Sequence, residues 1–65
     1  MPRPQVGVKY HTGKQILFND GSGGIGVFYL GTITYVAPEF LMVSYVKNSK
    51  VVTIRISYHQ VQTQI

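Results

Sequence analysis

The residues most suggestive of chemistry lie between Asp20 and Gly31, in the segment DGSGGIGVFYLG. Gly21, Gly23 and Gly26 match the spacing G-x-G-x-x-G, which in dinucleotide-binding proteins leads into a helix whose free N–H groups hold a pyrophosphate. That chemistry needs a strand before the glycines, a helix after them and an acidic residue roughly 20 positions further on. The residues that follow are mostly β-branched or aromatic and favour a strand. The glycines therefore predict a flexible turn between two strands.

A weaker phosphate hypothesis stays open for the same loop. No Gly-Lys-Ser/Thr follows, which excludes a P-loop. Backbone N–H groups can nevertheless form an anion-binding concavity without any named motif, particularly where the subunits of an oligomer meet. The candidate backbone phosphate loop comprises Gly21, Ser22, Gly23 and Gly24.

The side chains that could support catalysis or bind a metal are few. The chain has no cysteine, two acids (Asp20 and Glu39) and two histidines (His11 and His59) without metal-ligand spacing. A tight metal site needs three or four ligands, and an enzyme needs a nucleophile, base or metal held together. We therefore expect a protein that is not an enzyme and that has no metal and no cofactor.

Binding is better supported, because the chain combines positive charge with aromatic rings. Six Lys/Arg against two Asp/Glu give a formal charge of +4 and a pI near 9.7, which favours polyanionic partners. Five tyrosines supply rings that can stack on bases. Tyr45 and Arg55 are expected to share a surface, and the lysines flanking a hairpin tip could reach phosphates. The candidate nucleic-acid-binding residues are Lys14, Tyr45, Lys47, Lys50 and Arg55.

Strand patterns run through almost the whole chain. Alternation is visible in QVGVKY, KQILF and VVTIRISY, and NSK at Asn48 to Lys50 reads as a tight hairpin turn with Asn48 in a left-handed conformation. In IGVFYLGTITYV, strict alternation places Tyr29, Ile33 and Tyr35 on one face, and Gly31 suggests a bend or bulge. The segment HQVQTQI allows one helical turn and a closing strand.

These patterns predict one domain over residues 1–65, with 1–4 as a flexible arm. The expected fold is all-β: a small five- to six-stranded antiparallel SH3-like or Sm-like barrel with a single helical turn near the C-terminus. A chain of this size buries only about 60% of its unfolded surface, so we expect a homo-oligomer. No apolar run approaches a membrane span and no signal peptide is evident, so a cytoplasmic protein without membrane contact is expected.

Three segments resemble the Veg family of small bacterial proteins: GKQILF at 13–18, LGTITYVAPEFLMVSY at 30–45 and RISYHQVQT at 55–63. The resemblance implies an SH3-like or Sm-like fold and, loosely, DNA binding or regulation. The first twelve residues differ from the helical segment with which that family begins. The matching positions are Gly13, Lys14, Gly31, Phe40, Val43, Arg55, Ser57 and Tyr58.

Three functions are compatible with these features. The first is a small basic module that binds DNA or RNA through barrel-face aromatics and turn lysines. The second is a protein-interaction module or inhibitor, such as an accessory protein of a phage or mobile element, that docks by an exposed β-edge. The third is an oligomer that binds a small nucleotide at subunit boundaries through the glycine-rich loop.

Overall fold

The computed structural model describes residues 10–65 and folds them into one antiparallel sheet of five strands. The sheet order is β4-β3-β2-β1-β5, so among the described strands β4 and β5 are the edges and the sheet does not close. The all-β class is therefore confirmed, and so is the helical turn near the C-terminus, whereas a closed barrel is not observed. The elements are β1 Gln15–Phe18, β2 Tyr29–Val36, β3 Phe40–Lys47, β4 Lys50–Ser57, the 3₁₀ turn Tyr58–Gln60 and β5 Val61–Gln64.

The predicted arm at 1–4 and the strand residues Val6 and Val8 lie outside the described residues. Tyr10 is the first described residue, and its ring packs against Tyr58 at a centroid distance of 5.3 Å.

One face of the sheet carries the hydrophobic core, because period-2 alternation sends every second side chain to the same side. A large apolar side chain on this face contributes on the order of 1.5–3 kcal/mol to the free energy of unfolding when it is fully buried. Partly buried rings and aliphatic side chains surround them. The core residues are Ile16, Phe18, Ile33, Leu41, Val43, Tyr45 and Ile56.

Gly31 is a close-packing position with regular pairing on both sides, so the bulge predicted there is not found at this residue. A Cβ at Gly31 would lie 2.7 Å from Cε1 of Phe18 and 3.1 Å from the carbonyl oxygen of Ser44. The bulge occurs three residues later, where the pairing of β2 with β3 shifts between Ile33 and Tyr35. Gly31 is needed because Phe18 crosses directly over the backbone.

The turns follow the sequence closely. Asn48 and Ser49 have φ angles of 54° and 66°, and they join the paired residues Lys47 and Lys50. Two consecutive left-handed residues make a turn whose twist matches that of the flanking strands. The predicted left-handed Asn48 is thus confirmed.

The glycine-rich segment is the connection between β1 and β2. Gly21, Gly24 and Gly26 have φ angles of 87°, 80° and 86°, which glycine adopts without a steric penalty. The chain continues into the strand β2 and not into a helix. The turn interpretation is confirmed, and the dinucleotide fingerprint is excluded.

Candidate nucleic-acid interface

The face of the sheet opposite the core, called here the outer face, is organised in rows across the strands. Strand register places polar side chains in the middle row, where the hydroxyls of Ser44 and Thr53 are hydrogen-bonded at 2.9 Å. An aliphatic row lies on one side and an aromatic row on the other. The aliphatic row comprises Leu17, Leu30, Val46 and Val51, and the polar row comprises Gln15, Thr32, Ser44 and Thr53. The aromatic row comprises Tyr35, Met42 and Arg55, with Phe40 beside Arg55.

The aromatic row forms a compact cluster that we call the aromatic platform: Tyr35, Phe40, Met42 and Arg55. The rings of Tyr35 and Phe40 lie 6.2 Å apart between centroids, and the guanidinium carbon of Arg55 lies 5.4 Å from the centroid of Phe40. Tyr35 is 56% exposed. The exposed Tyr35 and Arg55 and the half-buried Phe40 therefore lie together on the outer face.

The bulge in β2 creates this platform. Strict alternation would have put Tyr35 on the core face with Tyr29 and Ile33, as the sequence pattern predicted. Because the register shifts after Ile33, Tyr35 instead pairs with Met42 on the outer face. β-bulges commonly re-aim a side chain in this way. No residue in TITYV marks the position of the bulge, so Tyr35 and Phe40 were not among the predicted site residues.

Arg55 lies on the outer face, where a binding cation would be useful, but its aromatic neighbour is not the predicted one. Arg55 pairs with Met42, whereas Tyr45 pairs with Val52 on the core face and is only 5% exposed. The expectation that Tyr45 and Arg55 share a surface is therefore wrong. Phe40 takes the place of Tyr45 beside the guanidinium. Within residues 10–65, no carboxylate lies within ion-pair distance of Arg55.

Tyr45 belongs to a second polar group at the other end of the sheet, called here the Asp20 cluster: Asp20, Ser22, Tyr45 and Lys47. The Asp20 carboxylate accepts hydrogen bonds from the Tyr45 hydroxyl at 2.5 Å and from Nζ of Lys47 at 2.7 Å. It also accepts from the backbone N–H and hydroxyl of Ser22, at 2.9 and 2.7 Å. The Lys47 ammonium donates to the Ser22 hydroxyl as well. These bonds fasten the glycine-rich loop to β3.

The electrostatics of the Asp20 cluster follow from these contacts. The Lys47 ammonium and the Tyr45 hydroxyl hold the pKa of Asp20 well below its usual range. Burial, together with the neighbouring Asp20, raises the pKa of Tyr45 to about 12. The Asp20 carboxylate raises the pKa of Lys47. The cluster is therefore an ionised pair with a neutral phenol, fully committed to internal bonds.

The predicted lysines consequently differ in what they can do. Lys47 pairs with Asp20 and lies over the Tyr29 ring at 5.6 Å, so its charge is largely neutralised. Lys50 is exposed at the hairpin tip. Lys14 is exposed just before β1, and its carbonyl oxygen accepts the N–H of Ile33, the residue preceding the bulge. Lys14 and Lys50 can face a polyanion, and Lys47 is mainly structural.

Two amides of the candidate phosphate loop already have partners. The N–H of Gly21 donates to Oδ1 of Asn19 at 2.6 Å, and that of Ser22 donates to Oδ1 of Asp20. A carboxylate thus occupies part of the concavity that a phosphate would need. The prediction of a backbone phosphate loop therefore rests on the amides of Gly23 and Gly24.

Comparison with known proteins adds no relative: the chain matches no family model, no curated protein and no solved structure. Over residues 10–65, no helix is long and apolar enough to cross a membrane, and no three His, Asp or Glu side chains are grouped as a metal site would require. The geometry of the outer face is therefore the main guide to function.

Proposed function

We propose that this protein is a non-enzymatic nucleic-acid-binding module that holds unpaired bases of single-stranded DNA or RNA on the aromatic platform. One observation carries the proposal: the exposed ring of Tyr35 and the half-buried ring of Phe40 lie beside a guanidinium that has no acidic partner within residues 10–65. A core-stabilising cluster would bury both rings or neutralise the cation. Here Tyr35 is exposed, and Arg55 has no carboxylate within ion-pair distance among residues 10–65.

The chemistry of the platform favours single strands. Stacking of a base on an aromatic side chain is worth about 1–3 kcal/mol and tolerates any base, because every base has a π face. In a duplex those faces are already stacked on their neighbours. Arg55 can bond a phosphate while its plane stays against Phe40. Lys14 and Lys50 supply further charge along the strand.

We also propose that the sheet belongs to the SH3-like or Sm-like class. Five short antiparallel strands with a 3₁₀ turn before the last one support this assignment. The resemblance to the Veg family, with its loose implication of DNA binding, agrees with the same proposal.

Fluorescence anisotropy with a labelled single-stranded oligonucleotide of about ten nucleotides tests the function. We expect saturable binding that weakens steeply with salt, and weaker binding to the matching duplex. Tyr35→Ala is the test variant and Val46→Ala the matched control, since Val46 is 62% exposed on the same face but in the aliphatic row. A duplex preference, a flat salt response or equal loss in both variants would reject the proposal.

A second function is favoured by the open edge of the sheet. β4 has eight residues and pairs only with β3 among the described strands, and Val51 on it is 73% exposed. Such an edge can add a strand from another chain, including a second copy of this one. Light scattering would then show an oligomer that Val51→Lys converts to a monomer, since edge lysines block pairing. A monomer at all concentrations would reject self-pairing.

A further inference from the structure

A pocket opens at the end of the sheet next to the aromatic platform. Its volume of about 380 Å³ is at the lower end of the range of small-molecule sites. It adjoins the platform through two links, because Glu39 precedes Phe40 in the chain and Ser57 is the cross-strand partner of Phe40. The lining residues are Pro38, Glu39, Ser57, Tyr58 and His59.

Hydrogen bonds tie the two walls of the pocket together. The turn Pro38–Glu39 is closed by the N–H of Ala37, which donates to the carbonyl oxygen of Phe40 at 3.0 Å. The Tyr58 hydroxyl donates to the carbonyl oxygen of Ala37 and links this turn to the 3₁₀ turn. The pocket is therefore preformed, which lowers the entropic cost of filling it.

The chemistry of the lining selects what can enter. Glu39 is exposed, and a carboxylate offers only hydrogen-bond acceptors. It repels phosphate, so the group that faces it must carry N–H donors. Pro38 and Tyr58 add apolar surface that suits a flat ring. A nucleobase with a donor-rich edge meets both requirements.

We propose, resting on the function proposed above, that the pocket receives the base next to those on the platform and selects guanine there. Guanine is the standard base with two adjacent donors, N1–H and N2–H, on its Watson–Crick edge, and these match the two oxygens of Glu39. Adenine and cytosine offer the amino group alone on that edge. Uracil and thymine offer a single N–H between two carbonyls, which the carboxylate would repel.

The experiment compares oligothymidines of about ten nucleotides that carry one central guanine, adenine, cytosine or inosine. We expect the guanine oligomer to bind about tenfold more tightly than oligothymidine, as a good bidentate contact would give. Inosine lacks the N2 amino group and is expected to fall between them. Glu39→Gln is expected to abolish the guanine preference and to keep oligothymidine binding at or slightly above the wild-type level, because the repelling charge is removed. Pro38→Ala is the control in the same turn, and it is expected to retain the preference.

The outcomes separate the two proposals. Equal affinity for all central bases would overturn guanine selection while the platform function stands. A guanine preference that survives in Glu39→Gln would overturn the assignment to Glu39. Failure to bind any oligonucleotide would overturn the proposed function, and guanine selection with it.

Discussion

Two cation–aromatic pairs within residues 10–65 have similar geometry and opposite character. Lys47 lies 5.6 Å from the ring centroid of Tyr29, and Arg55 lies 5.4 Å from that of Phe40. Lys47 is also bonded to Asp20, whereas Arg55 has no carboxylate within reach among residues 10–65. We infer that a neighbouring acid decides whether such a pair stabilises the fold or remains available to a ligand.

Burial supports the same distinction. The Asp20 side chain is only 3% exposed and that of Lys47 28%, since the glycine-rich loop lies against the end of the sheet. The platform lies on the outer face, where Tyr35 is more than half exposed. Removing the Asp20 cluster is therefore expected to cost stability, and removing the platform is expected to cost binding.

The largest expected effect is on binding, in the double variant Tyr35→Ala/Phe40→Ala. Losing two stacking rings removes about 2–6 kcal/mol if each holds one base, which lowers the affinity for single-stranded nucleic acid by at least about thirtyfold. Anisotropy titrations measure the loss, and circular dichroism checks that the sheet persists. Affinity within about threefold of wild type in a folded variant would remove the distinction between the two pairs.

Asp20→Asn is expected to have the next largest effect, on stability. The substitution removes the charge that bonds Lys47 and Tyr45, at a cost of about 1–2 kcal/mol in the free energy of unfolding. Urea denaturation followed by circular dichroism measures it. Lys50→Gln, across the hairpin, is the control and is expected to be near neutral. An unchanged midpoint in Asp20→Asn would show that the loop is not fastened by this carboxylate.

Acid is expected to act on the same pair. Because the pKa of Asp20 is lower in the folded chain than in the unfolded chain, protonation favours unfolding. The contribution of Asp20 is complete above about pH 4, the ordinary aspartate value, and is lost as the pH falls further. Wild type is therefore expected to lose its advantage over Asp20→Asn below that pH. Parallel stability curves would contradict this.

The smallest expected effect is on the salt dependence of binding, and it distinguishes Arg55 from Lys47 directly. For single strands, each phosphate contact contributes a slope of about −0.7 to log K against log salt. Arg55→Gln is expected to flatten the slope by about that amount, whereas Lys47→Gln leaves it unchanged because Asp20 already neutralises Lys47. Equal flattening in both variants would mean that Lys47 also contacts the nucleic acid.

The sequence predicts the local features of this fold well. Asn48 indicates its own turn, the glycines indicate a loop, and alternation identifies most of the core face. Each of these depends on neighbouring residues alone. Arg55 is a cation within an alternating strand, and the structure places it on the outer face.

The features that define the candidate site depend on contacts that are distant in the chain. Tyr35 reaches the outer face only because the β2–β3 pairing slips, and no nearby residue type marks the slip. Tyr45 lies on the core face with Leu41 and Val43, and its hydroxyl bonds to Asp20, 25 positions earlier. Lys47 is bonded to the same Asp20 carboxylate, which neutralises its charge. Charge and residue type identify these side chains as candidates, but they do not show which ones stabilise the fold and which ones are available to a ligand.

The most direct test of the central claim is a ¹H–¹⁵N NMR titration of the protein with a single-stranded oligonucleotide. We expect chemical-shift changes on the outer face around Tyr35, Met42 and Arg55, with little change at Asp20, Tyr45 and Lys47. Changes centred on the Asp20 cluster or the glycine-rich loop, or none at saturating oligonucleotide, would contradict it.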